Sequence, residues 1–357
     1  MGKLMKALVY KGKGTISLED RQVPSICDER DAIVEITLST ICSSDIHIMH
    51  GQVELAKEGI VLGHEMVGKV AEIGPLVKNV SVGDRVIVNV ETFCGECFYC
   101  KRGYVNNCDS PDGGWSIGCK IDGGQAGYIR IPLADNNLKI IPEGVSYEQA
   151  LLVGDVLSTG WWAAELGELN PGDYAVVLGA GPTGLCTMKC AQLYTPLKVI
   201  AVDVINERLE FALSNGYADI VLNPLEVDNL EATVKELTAG RGADVVFEAA
   251  GGKDTFEQAW RIARPSGIVV IIAAYEDDPQ YLPLRTMYGK NLTFKTGGVH
   301  ANSCDVLLDL ISSGKLDVSD LITKTVPLND IIEAYDAFEH NKKDIIKIAI
   351  TPYEYDE

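Results

Sequence analysis

Tyr174-Ala175-Val176-Val177-Leu178-Gly179-Ala180-Gly181-Pro182-Thr183-Gly184 joins a short, wholly apolar run to a glycine turn, and a helical pattern follows from Gly184 to Tyr194. A run apolar at every position reads as a strand covered on both faces, as in a parallel sheet. Val199-Ile200-Ala201-Val202-Asp203 is a second such strand, and Asp203 lies 19 residues after Gly184. Strand, G-x-G-x-x-G turn, helix, strand and terminal acid together form the dinucleotide fingerprint. Gly179 permits the tight turn, and Gly181 lets the backbone approach a pyrophosphate at the helix N-terminus. Pro182 and Thr183 begin the helix, and Gly184 allows it to pack closely on the strand. Asp203 can accept hydrogen bonds from the adenosine ribose and would repel a 2′-phosphate, which favours NAD over NADP. Arg208 reads equally as a contact to the adenine or diphosphate and as a solvated helix residue.

The same alternation continues along the chain. Asn206 to Asn215 and Leu230 to Thr238 read as helices; Asp219 to Leu222, Ala243 to Glu248 and Gly267 to Ala274 read as strands. Apolar strands alternating with helices predict a doubly wound parallel sheet. Residues 5–40 and 61–90 instead alternate apolar and polar in short pieces separated by glycine turns, which predicts antiparallel strands. The tail carries helices at Asp305 to Ser313 and Asn329 to Glu339 and a last strand at Ile345 to Ile350. The expected organisation is α/β plus β: a partly β domain at 1–155 and 298–357, interrupted by a Rossmann doubly wound parallel-sheet domain at 156–297.

The chain has 357 residues, enough for two domains at about 150 residues each. Its longest apolar run, Ile268 to Tyr275, has eight residues, against about 20 for a bilayer-spanning helix. No secretory signal is read before the first strand, so a cytoplasmic location is expected. With 31 basic and 51 acidic residues the formal charge is −20, which repels nucleic acid and anionic membranes. Small molecules are therefore the expected partners.

Ten cysteines are present. Cys94, Cys97, Cys100 and Cys108 fall within a glycine-rich, loop-like stretch, the lobe 91–110, where a backbone can wrap a tetrahedral zinc. Free thiols or an iron–sulfur cluster are the alternatives. Four thiolates close the ion off, so such a zinc would be structural. Cys27, Cys119, Cys186, Cys190 and Cys304 read as small buried apolar residues. Three other segments are rich in donors: Cys42-Ser43-Ser44-Asp45-Ile46-His47, Gly63-His64-Glu65, and Gly154-Asp155-Val156-Leu157-Ser158-Thr159-Gly160. Their spacing alone does not make them a site.

Taken with the four-cysteine lobe, the fingerprint and the order of domains, these segments resemble the zinc-dependent medium-chain alcohol dehydrogenases over nearly the whole chain. The stretches Gly114-Trp115-Ser116-Ile117-Gly118, Asp122 to Tyr128 and Asp155 to Gly160 look most like the secondary-alcohol and formaldehyde-dehydrogenase-like branch. The resemblance implies a GroES-like catalytic domain, two zinc ions per subunit, NAD, and a homodimer or homotetramer. It implies Cys42, His64 and Asp155 as catalytic zinc ligands, with Glu65 able to approach the ion and exchange with water or substrate. Ser44 would hydrogen-bond the substrate oxygen and pass its proton on through His47, for which a plain surface histidine is the alternative. Asp45 would orient His64 or merely form a turn. Val299 would lie near the nicotinamide through its backbone. Val90, Trp115 and Tyr275 would line the substrate pocket, with Trp115 equally readable as core. A Val at position 90 predicts a wide site, hence a secondary or bulky alcohol. An NAD-retaining dismutase, or a polyol or hydroxysteroid dehydrogenase, is the alternative on the same fold.

Overall fold

The computed structural model describes residues 2–275 and 279–353. The chain divides into two compact units, Met1–Ser158 with Val299–Glu357, and Thr159–Gly298.

In the second unit, six parallel strands form one sheet: Tyr174–Leu178, Lys198–Val202, Ile220–Leu222, Ala243–Glu248, Ala263–Ile271 and Thr293–Thr296. Numbered along the chain, their spatial order is 3-2-1-4-5-6, the order of a doubly wound dinucleotide-binding sheet. Ala175, Val176 and Val177 are fully buried and Leu178 is nearly so. Each large side chain covered in this way stabilises the fold by roughly 1.5–3 kcal/mol. The helix Pro182–Gln192 starts at Gly181 with proline in its first turn, where the missing N–H costs nothing. A Cβ on Gly184 would lie 1.8 Å from the Gly179 carbonyl oxygen, so only glycine lets the helix come this close. The strand expected at Gly267 to Ala274 begins earlier, at Ala263, and ends at Ile271.

The first unit holds a seven-stranded sheet, a separate antiparallel pair, Leu4–Gly12 with Thr15–Gln22, and the short pair Glu91–Thr92 with Gly114–Trp115. In the large sheet, Ala32–Thr40 lies between Met66–Ile73 and Lys347–Thr351, antiparallel to both. Ser39 pairs with Met66 and Ala349 with Thr40. This register brings three chain segments together at one strand end: Cys42 beyond Thr40, His64 and Glu65 before Met66, and Lys347. The strand Ile322–Pro327, parallel to Lys347–Thr351, has no counterpart among the strands expected from sequence. Cys119, Cys186, Cys190 and Cys304 are buried, but Cys27 is exposed; it follows an exposed loop rather than a core-facing strand. Among the described residues no helix is long and apolar enough to cross a membrane.

Candidate metal centres and cofactor fingerprint

Donor atoms of Cys42, His64, Glu65 and Asp155 all lie within 4.8 Å of one another. Each is placed by a different local device. Cys42 precedes the helix Ser43–Met49, and its N–H donates to Asp45 Oδ2 at 2.9 Å. The other oxygen, Asp45 Oδ1, is 3.1 Å from His64 Nδ1. Asp45 thus forms the turn and faces the histidine at once. His64 turns its other nitrogen, Nε2, to Asp155 Oδ2 at 3.2 Å.

Asp155 sits in a π-helical turn, Val153–Leu157, where Leu157 N–H reaches back five residues to the Leu152 carbonyl at 2.9 Å. Such turns leave carbonyls in need of partners. Here Ser158 Oγ donates to the Val153 carbonyl at 2.6 Å, and Val90 N–H donates to that of Gly154 at 3.0 Å. A Cβ on Gly154 would lie 2.1 Å from the Val88 carbonyl oxygen. The absence of a side chain therefore fixes the depth at which Asp155 enters the cluster.

Glu65 is fully buried and ion-paired with the equally buried Lys347, and its Oε2 also accepts from Thr40 Oγ1 at 3.3 Å. Glu65 Oε1 has no partner among the described residues. Burial pushes the Glu65 carboxyl up, and the Lys347 charge opposes it. Burial alone would lower His64, but the Asp45 charge, and then Asp155, Asp45 and Cys42 as acceptors for its ring N–H groups, hold it well above its usual value. One cysteine sulfur, one imidazole and two carboxylates, one of them with an orphaned buried oxygen, form a donor set suited to zinc.

Cys94, Cys97, Cys100 and Cys108 likewise gather within 4.8 Å. Cys94 Sγ is 4.0 Å from Cys100 Sγ; tetrahedral zinc with bonds of about 2.3 Å places sulfurs roughly 3.8 Å apart. Backbone N–H groups of Glu96, Cys100 and Cys94 donate to Cys94, Cys97 and Cys108 respectively, each at 3.4 Å. Such bonds lower the Cys97 thiol to about 7, whereas burial pushes Cys100 up to about 12. None of the four is in a disulfide.

Of the other residues singled out by sequence, Ser44 Oγ lies 3.9 Å from Cys42 Sγ, and His47 Nδ1 faces Gln52 Oε1 at 3.2 Å. Val90 is buried. The Trp115 ring meets His64 edge-on, centroids 5.6 Å apart. The Tyr275 hydroxyl is 3.3 Å from Thr255 Oγ1, and the ring packs on the core of the parallel sheet. In the fingerprint, Asp203 accepts from Ala180 N–H at 2.7 Å and from Ile205 N–H at 2.8 Å. It braces the glycine turn with one oxygen and the next helix with the other. Arg208 Nη1 lies 3.5 Å from where a Gly181 Cβ would be. Val299 is buried.

Four residues of this neighbourhood carry no legible sequence signal: Gln125, Tyr335, Lys347 and Glu91. Glu91 is buried, with Oε2 unpartnered among the described residues. Burial first, then the Asp155 charge, push its carboxyl up to about 8.

Residues 28–142 match the family described as alcohol dehydrogenase GroES-like domain, and residues 182–313 match zinc-binding dehydrogenase. An alcohol dehydrogenase of Cupriavidus necator is 35% identical over 373 aligned positions, covering 99% of this chain and 100% of its own. The apo structure of zinc-dependent alcohol dehydrogenase 2 from Streptococcus pneumoniae superposes with a TM-score of 0.92 at 36% identity, covering 99% and 100% of the two chains. An Escherichia coli CFT073 protein described as a short chain alcohol dehydrogenase, solved with NADH, gives 0.89 at 28% identity, covering 98% and 100%.

Proposed function

We propose, from the premise that this chain belongs to the zinc-dependent alcohol dehydrogenases of the medium-chain type, that it transfers hydride reversibly between a secondary or bulky alcohol and NAD. The observation that carries this reading is the gathering of the Cys42, His64, Glu65 and Asp155 donors within 4.8 Å. Cys42, His64 and Asp155 would hold zinc, which when bound would supply a Lewis acid for the alcohol or carbonyl oxygen. Glu65, with Oε1 unpartnered among the described residues, is the donor that exchanges with water or substrate. Asp45 keeps His64 Nδ1 protonated and so leaves Nε2 as the ligand atom. Ser44 hydrogen-bonds the substrate oxygen, and His47 passes the proton to water. Cys94, Cys97, Cys100 and Cys108 hold the second, structural zinc.

The fingerprint Gly179 to Gly184 binds the NAD pyrophosphate, with Arg208 beside it. Asp203 has both oxygens on backbone N–H groups, yet each retains a lone pair for ribose hydroxyls. Its charge disfavours a 2′-phosphate. Val299 contributes backbone near the nicotinamide. Val90, Trp115 and Tyr275 are the pocket residues, and the short Val90 side chain supports a wide site. The reading includes a homodimer or homotetramer in the cytoplasm.

Rates on a panel of primary, secondary, polyol and sterol alcohols, each with NAD and NADP, together with metal analysis, test this. Secondary-alcohol turnover with NAD and two zinc ions per chain is expected. Activity confined to small primary alcohols overturns the wide pocket. Product formation without added cofactor identifies an NAD-retaining dismutase instead.

A further inference from the structure

We propose that Gln125 and Tyr335 are positioning residues for the metal site: Tyr335 donates to Gln125 and Gln125 to Asp45, whose other oxygen faces His64 Nδ1. The inference rests on the reading of Cys42, His64, Glu65 and Asp155 as a metal centre. Gln125 is fully buried and Tyr335 nearly so. Gln125 Nε2 donates to the Thr40 carbonyl at 3.1 Å and to Asp45 Oδ2 at 3.2 Å. Its Oε1 accepts from the Tyr335 hydroxyl at 2.7 Å.

These partners allow the amide one orientation. A flip would set Oε1 against a carbonyl and a carboxylate, neither of which has a proton to give. Tyr335 must therefore donate, Gln125 must relay, and Asp45 must accept. With Cys42 N–H and Gln125 Nε2 both on Oδ2, Asp45 has Oδ1 left for His64 Nδ1 at 3.1 Å. The arrangement holds the carboxylate against rotation and fixes which imidazole nitrogen carries hydrogen. Burial, then the nearby Asp45 charge, push the Tyr335 phenol well above its usual range, so it stays a donor.

Packing fixes the relay as well. A Cβ on Gly63, the residue before His64, would lie 2.6 Å from Gln125 Cγ and 2.9 Å from Gln125 N. The glutamine side chain thus fills the space over the chain that delivers the histidine. A leucine there would fill much the same volume but neither donate nor accept.

The test uses the full-length, zinc-loaded protein and the variants Gln125→Leu and Tyr335→Phe. Release of the exchangeable zinc into a chelator is timed, and the optical spectrum is recorded after that ion alone is replaced by cobalt(II). Groups behind metal ligands typically command 10–100-fold in affinity. Gln125→Leu should speed release by about tenfold and shift the cobalt ligand-field bands. Tyr335→Phe should act in the same direction by a few-fold, and the four-cysteine ion should leave at its usual rate in both. Folded variants with unaltered release and spectrum overturn the proposal. If Gln125→Leu does not fold, Tyr335→Phe, which loses one hydroxyl only, decides alone: unaltered release and spectrum in that variant overturn the proposal. An unsubstituted protein holding metal in the four-cysteine lobe alone overturns the reading of the site itself, which separates the two failures.

Discussion

The four-cysteine lobe and the Cys42–His64–Glu65–Asp155 cluster hold their donors in opposite ways. The lobe is local: its sulfurs come from residues 94–108, and three of them take hydrogen bonds from backbone of the same loop. The other cluster spans residues 42–155, and its support reaches Tyr335 and Lys347. Four thiolates close an ion away from solvent chemistry, whereas one thiolate with imidazole and carboxylates leaves room for exchange. The local set suits a rivet and the distributed set suits a reaction, because only the latter has ligands whose orientation the rest of the fold can adjust.

The largest expected effect comes from exchanging damage between the two. If Asp155 is a ligand as proposed, Asp155→Ala should lower alcohol turnover by more than about 100-fold, beyond the effect of a group behind a ligand, and leave metal binding by the lobe unchanged. Cys97→Ser should do the reverse: loss of the lobe ion and a lower unfolding midpoint, with the exchangeable ion retained. Metal counts per chain and denaturant curves check both. Equal metal loss in the two variants would break the contrast.

Next in size is the buried ion pair. Removing one partner strands the other charge in the interior, at a cost of roughly 3–5 kcal/mol. Lys347→Met should destabilise by about that amount in urea unfolding, and adding Glu65→Leu should recover much of it. The lobe, which lacks such a pair among the described residues, should show no comparable recovery in any double variant.

A third contrast is a pH dependence. In the metal-free site the Glu91 carboxyl stands at about 8, above its ordinary 4.5, through burial and the Asp155 charge. A group raised on folding favours the fold below its unfolded value, and that contribution is lost as pH rises through the folded one. Glu91→Gln removes this titration, so the variant should gain on the parent protein as pH rises from about 5 to about 9. Unfolding curves after chelation of the exchangeable ion check this. An unchanging difference would mean that the Glu91 carboxyl is not raised in the folded protein.

The doubly wound sheet is legible because it depends on near neighbours: Ala175 to Leu178 and Val199 to Val202 are apolar throughout, and the turn chemistry lies between them. The donors Cys42, His64 and Asp155 are legible as residue types in polar segments, but composition and spacing do not bring them together. The sheet does so for Cys42 and His64, through the Ser39–Met66 and Thr40–Ala349 pairings, and the π-helical turn anchored by Val90 N–H on the Gly154 carbonyl brings in Asp155. Lys347 stands between Ile346 and Ile348 in the last strand, and a lone lysine in an apolar run does not name its partner. Its partner, Glu65, is 282 positions away, and no local pattern records that. Gln125 sits in a glycine-rich stretch and reads as a turn residue, and only the packing against Gly63 shows it to be core.

The π-helical turn at Val153–Leu157 sets the aim of Asp155 by carrying one residue more than an α-helical path would need. Deleting a single residue there would let the chain relax into an unbroken helix and swing the carboxylate about 100° around the axis. The ligand's direction is thus encoded in chain length as much as in side-chain identity, and a shortened sequence with every donor intact would still point one of them the wrong way.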